Sequence, residues 1–427
     1  MGSDFFSISG RELGKEEIAH LEKEAKHLKN ELGGSIKKNR ISAEVFIGGS
    51  LAKKTLVKEE VNDIDIFVRF AKKYTGADIS ALLCKIIERS KIDGRIAKVH
   101  GSRDYFRISG KKALFEVIPV LKISKGKEAQ NVTDLSYFHV NYVKRKLKAG
   151  INPREIVKAK AFCKSAGVYG AEGYIRGFSG YGLECLIINY GSFGKMLKAI
   201  VRAKGKIILD PEKFYKSEEQ LIMELNENKL KSPIVLVDPT WKERNVLAAL
   251  SNESLEKFKT YAKAFLKKPS PKFFDSKKKD STEIFKVAKK NKAEFGEIVV
   301  STTKQEGDIA GSKLRKFYDT FMEDLGKEFK IIAHDFNYLK EKDALIWVAA
   351  KPINRKIVKG PELKMKGHVS RFKKMHKKTF SSKGRIYAEI KTSVDLKEFV
   401  HKYKKTYKKK IAEMDVSDIR IKSNKTH

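Results

Sequence analysis

Asp63 and Asp65 stand one residue apart in the stretch DIDIFVRF, where Ile64, Ile66, Val68 and Phe70 alternate with Asp63, Asp65 and Arg69. A period of two is the signature of a strand with one buried face, so both carboxylates fall on the same side. At about 3.3 Å per residue they lie a little under ~7 Å apart along the strand, close enough to hold hard, oxygen-seeking cations together. Glu116 offers a third ligand. It is flanked by Phe115 and Val117 in the apolar run ALFEVIPVL, where a carboxylate is costly to bury unless something cationic compensates it. Gly48-Gly49-Ser50 closes a short apolar run EVFI, and twelve residues intervene between Ser50 and Asp63. Gly49 permits close approach of backbone N–H groups to a triphosphate, and Ser50 adds a hydroxyl. Two Mg²⁺ ions roughly 4 Å apart on such carboxylates would activate an attacking hydroxyl and neutralise a leaving pyrophosphate.

These groups need a scaffold, and the surrounding periodicity supplies one. Ile18, Leu21, Ala25, Leu28 and Leu32 mark an amphipathic helix over 15–32, which Gly33-Gly34 is expected to close. With strands at 44–47, 64–70 and 113–121 this makes an α/β unit of about 140 residues. From Pro153 to about Leu266 the pattern turns helical, in EIVKAKAFCKSAG, LECLIINYGSFGKMLKAIV and ESLEKFKTYAKAFL. KKPSPKFFDSKKKDS, with two prolines among lysines, reads as a linker and places a boundary near residue 267. Beyond it GEIVVSTT, KIIAHDF, ALIWVAAKPI and RIYAEIKT read as strands, and KLRKFYDTFMEDLGKEF and SRFKKMHKK as helices, an α+β region of one or two units.

The 427 residues carry 91 Lys and Arg against 53 Asp and Glu, a formal charge of +38, so the default partner is a polyanion such as nucleic acid. In the last third, Lys359, Arg371, Lys373 and Lys374 accompany His368, Phe372 and His376, with further lysines at 364, 366, 377 and 378. Cations interleaved with rings suit an RNA backbone and its exposed bases. The 41% hydrophobic content rules out a chain disordered as a whole. Cys84, Cys163 and Cys185 show no CxxC spacing, so neither a zinc knuckle nor a disulfide framework is expected. The longest apolar stretches fall far short of the roughly 18 residues that span a membrane, and the charged first thirty residues do not read as a signal peptide. A reduced, cytoplasmic setting without membrane association is the expectation.

The pattern of Gly49-Ser50, a gap of a dozen and Asp63-Ile64-Asp65 resembles the nucleotidyltransferase superfamily of DNA polymerase β. The likeness extends through TDLSYFHVNYVK, KAKAFCKSAGVYGAE, IRGFSGYGLECLIINYGSF, DPTWKERNVLAAL and KGPELKMKGHVSRFKKMH, which occur in the order of the archaeal, class I CCA-adding enzymes. That resemblance implies a multidomain α+β fold: a nucleotidyltransferase head over 1–142, a helical neck with the base pocket over 143–266, and an α+β body and tail over 267–427. It implies metal binding by Asp63, Asp65 and Glu116, nucleotide contacts from Ser50, Lys53, His139, Lys160 and Tyr169, and base reading by Arg244. It further implies CTP and ATP as substrates, Mg²⁺ as cofactor and tRNA as partner, with a homodimer among the open oligomeric states. Two positions depart from the family pattern: Glu116 stands where aspartate is usual, and Lys53 where arginine is usual. The glutamate reaches one methylene further, and the lysine keeps the charge but gives up the bidentate fork.

Overall fold

In the computed structural model, which describes residues 12–275, 280–339, 341–353, 355–391 and 394–422, the first element is helix α1 (Lys15–Lys38). Its stripe of Leu21, Ala25, Leu28 and Leu32 is buried, as the periodicity requires. The helix does not stop at Gly33-Gly34 but continues to Lys38. Ser35 and Ile36 are buried beyond the glycines, and Ser35 Oγ donates to the Ile86 carbonyl at 2.8 Å. That packing outweighs the helix penalty of about 1 kcal/mol per glycine.

Strands β1 (Ala43–Ile47) and β2 (Asn62–Phe70) flank a one-turn helix α2 (Gly49–Lys53). Helix α3 (Ile79–Glu88) follows, then β3 (Ile96–Val99), β4 (Tyr105–Ser109) and β5 (Ala113–Leu121). The five strands form one sheet in the order β1-β2-β5-β4-β3, with β2 and β5 parallel and the other neighbours antiparallel. Helices α1 and α3 pack their apolar residues with Ile64, Ile66, Val68, Phe115 and Val117 in a single core.

Helix α4 (Ser136–Lys148) spans residue 142, where the head was expected to end. It leads to α5 (Pro153–Ser165), α6 (Gly180–Tyr190) and α7 (Phe193–Arg202). The run LECLIINYGSFGKMLKAIV, read as one helix, is two. Gly191 adopts a left-handed φ of 81° at the C-terminus of α6, and Ser192 caps α7. Nor is the middle wholly helical: β6 (Ile207–Leu209), β7 (Ile234–Asp238) and β8 (Trp241–Asn245) make a three-stranded sheet around the short helices α8 (Glu218–Glu224) and α9 (Glu227–Leu230). Helix α10 (Asn252–Lys267) closes a second core, where Phe162 meets Phe193, Phe258, Phe265 and Phe274 at ring separations of 5.3–5.9 Å.

The chain divides into two compact units, Met1–Lys277 and Lys278–His427, about ten residues later than the linker suggested. The reason is Phe274, 2% exposed and anchored in the core of the first unit, so the described part of the linker belongs there.

The second unit contains α11 (Thr282–Asn291), β9 (Glu294–Thr302), α12 (Asp308–Leu325), β10 (Phe329–Tyr338) and β11 (Asp343–Pro352). After β12 (Arg355–Glu362), α13 (Lys366–Met375), β13 (Thr379–Ser382) and β14 (Arg385–Lys391) come α14 (Leu396–Thr406), α15 (Lys408–Glu413) and β15 (Val416–Ile421). Antiparallel strands form one sheet of order β10-β11-β9-β15 and a smaller one of order β12-β14-β13. The protein is therefore a multidomain α+β chain.

Candidate active site

The apolar residues of β2 and β5 face α1 and α3, so the residues between them face the other way. The parallel register places Asp65 directly opposite Glu116, and the antiparallel register of β4 with β5 places Arg107 opposite Glu116 on the far side. One row across three strands thus reads Arg107, Glu116, Asp65, with Asp63 two residues along from Asp65. The cation that Glu116 was argued to need is present, but it is a side chain: Arg107 Nε and Nη2 both donate to Glu116 Oε1 at 2.9 Å.

Gly49 has a φ of +56°, and a Cβ built on it would fall 1.7 Å from Asp65 Oδ2. No other residue lets this turn lie against the carboxylate. The Gly48 N–H also donates to the Asp65 carbonyl at 2.9 Å, joining turn and strand. Burial first, and then repulsion from Glu116 and Asp63, push the Asp65 carboxyl up to about 7, against the opposing pull of Lys53 and Lys160. A group of carboxylates short of positive charge is the donor set of a hard divalent cation. Among the described residues no three such groups converge on a ready-made metal cage, and Glu116 is engaged with Arg107. Asp63, Asp65 and Glu116 are the carboxylates of this row that could supply oxygen ligands to a hard divalent cation.

Beside this row, Lys53, Ser50 and Lys160 do come together, around a residue the sequence reading missed. Glu184, fully buried on α6, accepts from Lys53 Nζ at 2.6 Å and Lys160 Nζ at 2.8 Å. Thr55 Oγ1 donates to Glu184 at 3.1 Å, while Lys160 also reaches Ser50 Oγ and Thr55 Oγ1 at 3.1 and 3.0 Å. Burial alone would raise the Glu184 carboxyl, but the charges and hydrogen bonds of Lys160 and Lys53 bring it down to about 2. Burial pulls the Lys160 ammonium down, with Glu184 resisting. The group keeps one net positive charge near Asp65, suited to an anionic ligand. Its signal in the sequence was a lone carboxylate in the apolar run LECLIINY, the same kind of clue that singled out Glu116.

Tyr169 is half-buried, with Lys164 Nζ 4.8 Å from its ring centre and burial pushing its phenol up. A Cβ on Gly180 would come within 2.8 Å of Tyr169 Oη, so one glycine of RGFSGYG makes room for this ring.

His139 and Arg244 meet at a second residue that went unread, Asp238. His139 Nε2 lies 3.1 Å and Arg244 Nη1 2.6 Å from Asp238 Oδ2, while Tyr181 Oη and the Thr240 N–H and hydroxyl donate to Oδ1. The fully buried Asp238 would be raised by burial, but its bonds and charges from His139 and Arg244 carry it well below the usual carboxylate range. An ionised carboxylate only accepts, so His139 carries its proton on Nε2; burial lowers its pKa, against the pull of Asp238. The His139 ring stacks on Tyr181 at 3.8 Å. Arg244 lies on strand β8, not on a helix, and Asp238 fixes the direction of its guanidinium.

In the second unit Lys359, His368, Arg371, Lys373 and Lys374 are exposed on β12 and α13, and His376 is half-buried. Phe372 does not join them. It is 7% exposed and packs with Ile386, Ala388, Val358 and Val369 as the core of the small sheet, so it has no free face for a base. The helical period explains this: one face of a basic helix of about three turns must still be apolar to dock.

Residues 154–275 match the family described as tRNA nucleotidyltransferase, second domain. The chain is 42% identical over 208 residues to the CCA-adding enzyme of Nanoarchaeum equitans, covering 49% of this chain and 51% of that one. It is 35% identical over 244 residues to the CCA-adding enzyme of Pyrococcus abyssi, covering 54% and 52%. The chain thus spans about half the length of these relatives. Among solved structures, a cytoplasmic RNA terminal U-transferase aligns with a TM-score of 0.45 at 13% identity, covering 64% of this chain and 96% of that one. No described helix is long and apolar enough to cross a membrane. Residues 154–275 thus match the second domain of tRNA nucleotidyltransferases, and over about half of its length the chain is similar to archaeal CCA-adding enzymes.

Proposed function

We propose that the chain adds and repairs the 3′-terminal CCA of tRNA, using CTP and ATP with Mg²⁺ and releasing pyrophosphate. The observation that carries this reading is the row of Asp65 and Glu116 on paired parallel strands, with Asp63 beside it and Gly49 pressed against it, in a chain similar to CCA-adding enzymes. Asp63, Asp65 and Glu116 would hold two Mg²⁺ ions. Bound there, the ions lower the pKa of the attacking 3′-hydroxyl and neutralise charge on the leaving group. Ser50 and the positive Lys53–Glu184–Lys160 group lie where they favour the triphosphate, and no protein nucleophile is required. His139, Tyr169 and Arg244 belong to the pocket for the nucleotide. The basic surface of β12 and α13 grips tRNA.

The direct test is to incubate a tRNA transcript lacking CCA with CTP, ATP and Mg²⁺ and sequence its 3′ ends. Termini of CCA support the proposal, whereas long homopolymers assign a poly(A)-type transferase instead.

Two narrower outcomes follow. Arg244→Ala should raise misincorporation of UTP or GTP more than it lowers tRNA affinity, because it removes a donor fork that Asp238 keeps aimed. Equal fidelity in single-nucleotide addition assays would make Arg244 only a partner for Asp238. Replacing Arg371, Lys373 and Lys374 together by alanine should weaken tRNA binding at every stage of extension alike. The salt dependence of binding should flatten by about one unit per lost phosphate contact. Unchanged affinity and slope in filter-binding titrations would remove this surface from the tRNA interface.

A further inference from the structure

Arg107 is a cation placed where a metal ligand is wanted. In register, β4, β5 and β2 set Arg107, Glu116 and Asp65 side by side, so Glu116 has a guanidinium on one flank and a carboxylate on the other. Both Arg107 donors converge on the same oxygen, Oε1, at 2.9 Å. The arginine side chain is 44% exposed and the glutamate 20%, an arrangement screened enough to exchange partners. The two methylenes of the glutamate side chain give this carboxylate the reach to lean either way. Asp65 meanwhile stands opposite Glu116 in the parallel register, with Asp63 two residues along the same strand.

We propose that Arg107 is a positioning residue: it holds Glu116 away from the divalent-cation site, and cation binding requires that Glu116 exchange Arg107 for the metal. This rests on the reading of Asp63, Asp65 and Glu116 as that site. The ion pair competes with the metal for one carboxylate, so cation affinity is lowered by the fraction of Glu116 held by Arg107. Arg107 then sets the concentration of divalent cation at which the acidic row becomes complete.

The test is Mn²⁺ binding to the full chain, followed through the paramagnetic resonance signal of free Mn²⁺, for wild type, Arg107→Gln, Glu116→Gln, the double variant and Asp65→Asn. Arg107→Gln should tighten Mn²⁺ binding about three- to tenfold. In the Glu116→Gln background the same change should do so by about twofold or less, since only the general repulsion between arginine and metal remains. Tightening by the same factor in both backgrounds, or none in either, overturns the proposal. If Arg107→Gln loses its fold by circular dichroism, Arg107→Lys takes its place. It keeps the charge but loses the paired donors, and tightening that depends on Glu116 is again the expected result. Wild-type binding that survives Asp65→Asn unchanged removes the site reading itself, an outcome separate from a failed cycle at Arg107.

Discussion

Asp65→Ala is expected to lower the rate of nucleotide addition by about three orders of magnitude or more while leaving tRNA affinity within roughly twofold. On the proposed reading, an ion held by Asp65 would stabilise charge that develops only as the phosphoryl group transfers, so its loss would fall on turnover. RNA, on the same reading, would be gripped by cationic surfaces, and removing a negative charge slightly favours a polyanion. Stability separates this from a structural role. The Asp65 carboxyl is pushed from an ordinary value near 3.8 up to about 7 by burial and by Glu116. Folding then favours its protonated form, so stability without divalent cation falls as pH rises from about 4 to about 7. Asp65→Asn, which keeps the shape and removes the charge, should flatten that fall and leave the melting temperature at pH 8 equal to or above that of wild type. Glu116→Asp should be tolerated far better than Glu116→Ala, because it keeps the carboxylate and only shortens its reach. A variant Asp65→Ala that adds CTP at near the wild-type rate, or that is inactive only because it unfolds, would sink the assignment.

What could be read from the sequence divides along a physical line. Contacts set by local periodicity were legible: the alternation in DIDIFVRF put Asp63 and Asp65 on one face, and the apolar frame of Glu116 put it on a buried strand. Gly49 was legible as a close approach, though not that its neighbour would be the Asp65 carboxylate. What propensity alone was asked to decide went differently. Gly33 and Gly34 carry α1 onward because Ser35 finds a partner on α3 and Ile36 joins the core, and Phe372 turned inward because α13 needs an apolar face. Glu184 and Asp238 stayed hidden because their partners are distant in the chain: Lys53 lies 131 residues from Glu184, and His139 lies 99 from Asp238. A buried carboxylate announces that it needs cations without saying which.

Glu184→Ala should produce the largest loss of stability, about 3–5 kcal/mol, because it strands two buried ammonium groups beside one another. In a first unit of this size that corresponds to a melting temperature lower by roughly 8–15 °C. The lysines cannot simply turn to solvent: Lys160 is 2% exposed and is fixed by Ser50 and Thr55 as well as Glu184. Replacing the set together, with Lys53→Met, Lys160→Met and Glu184→Leu, should recover most of that stability and none of the activity, since an apolar core can replace a buried ion pair but cannot attract a triphosphate. The pH dependence gives an independent check. Glu184 is carried from about 4.5 in the unfolded chain down to about 2 in the fold, so its contribution is fully present above about 4.5 and disappears as pH falls toward about 2. Glu184→Gln should remove that part of the acid sensitivity while losing less stability than alanine at neutral pH, because the amide oxygen still accepts a hydrogen bond. Melting of these variants between pH 2 and 7 decides the matter. If Glu184→Ala melts within about 2 °C of wild type throughout, Lys53 and Lys160 are hydrated rather than held by Glu184, and the positive charge beside Asp65 is set by something else.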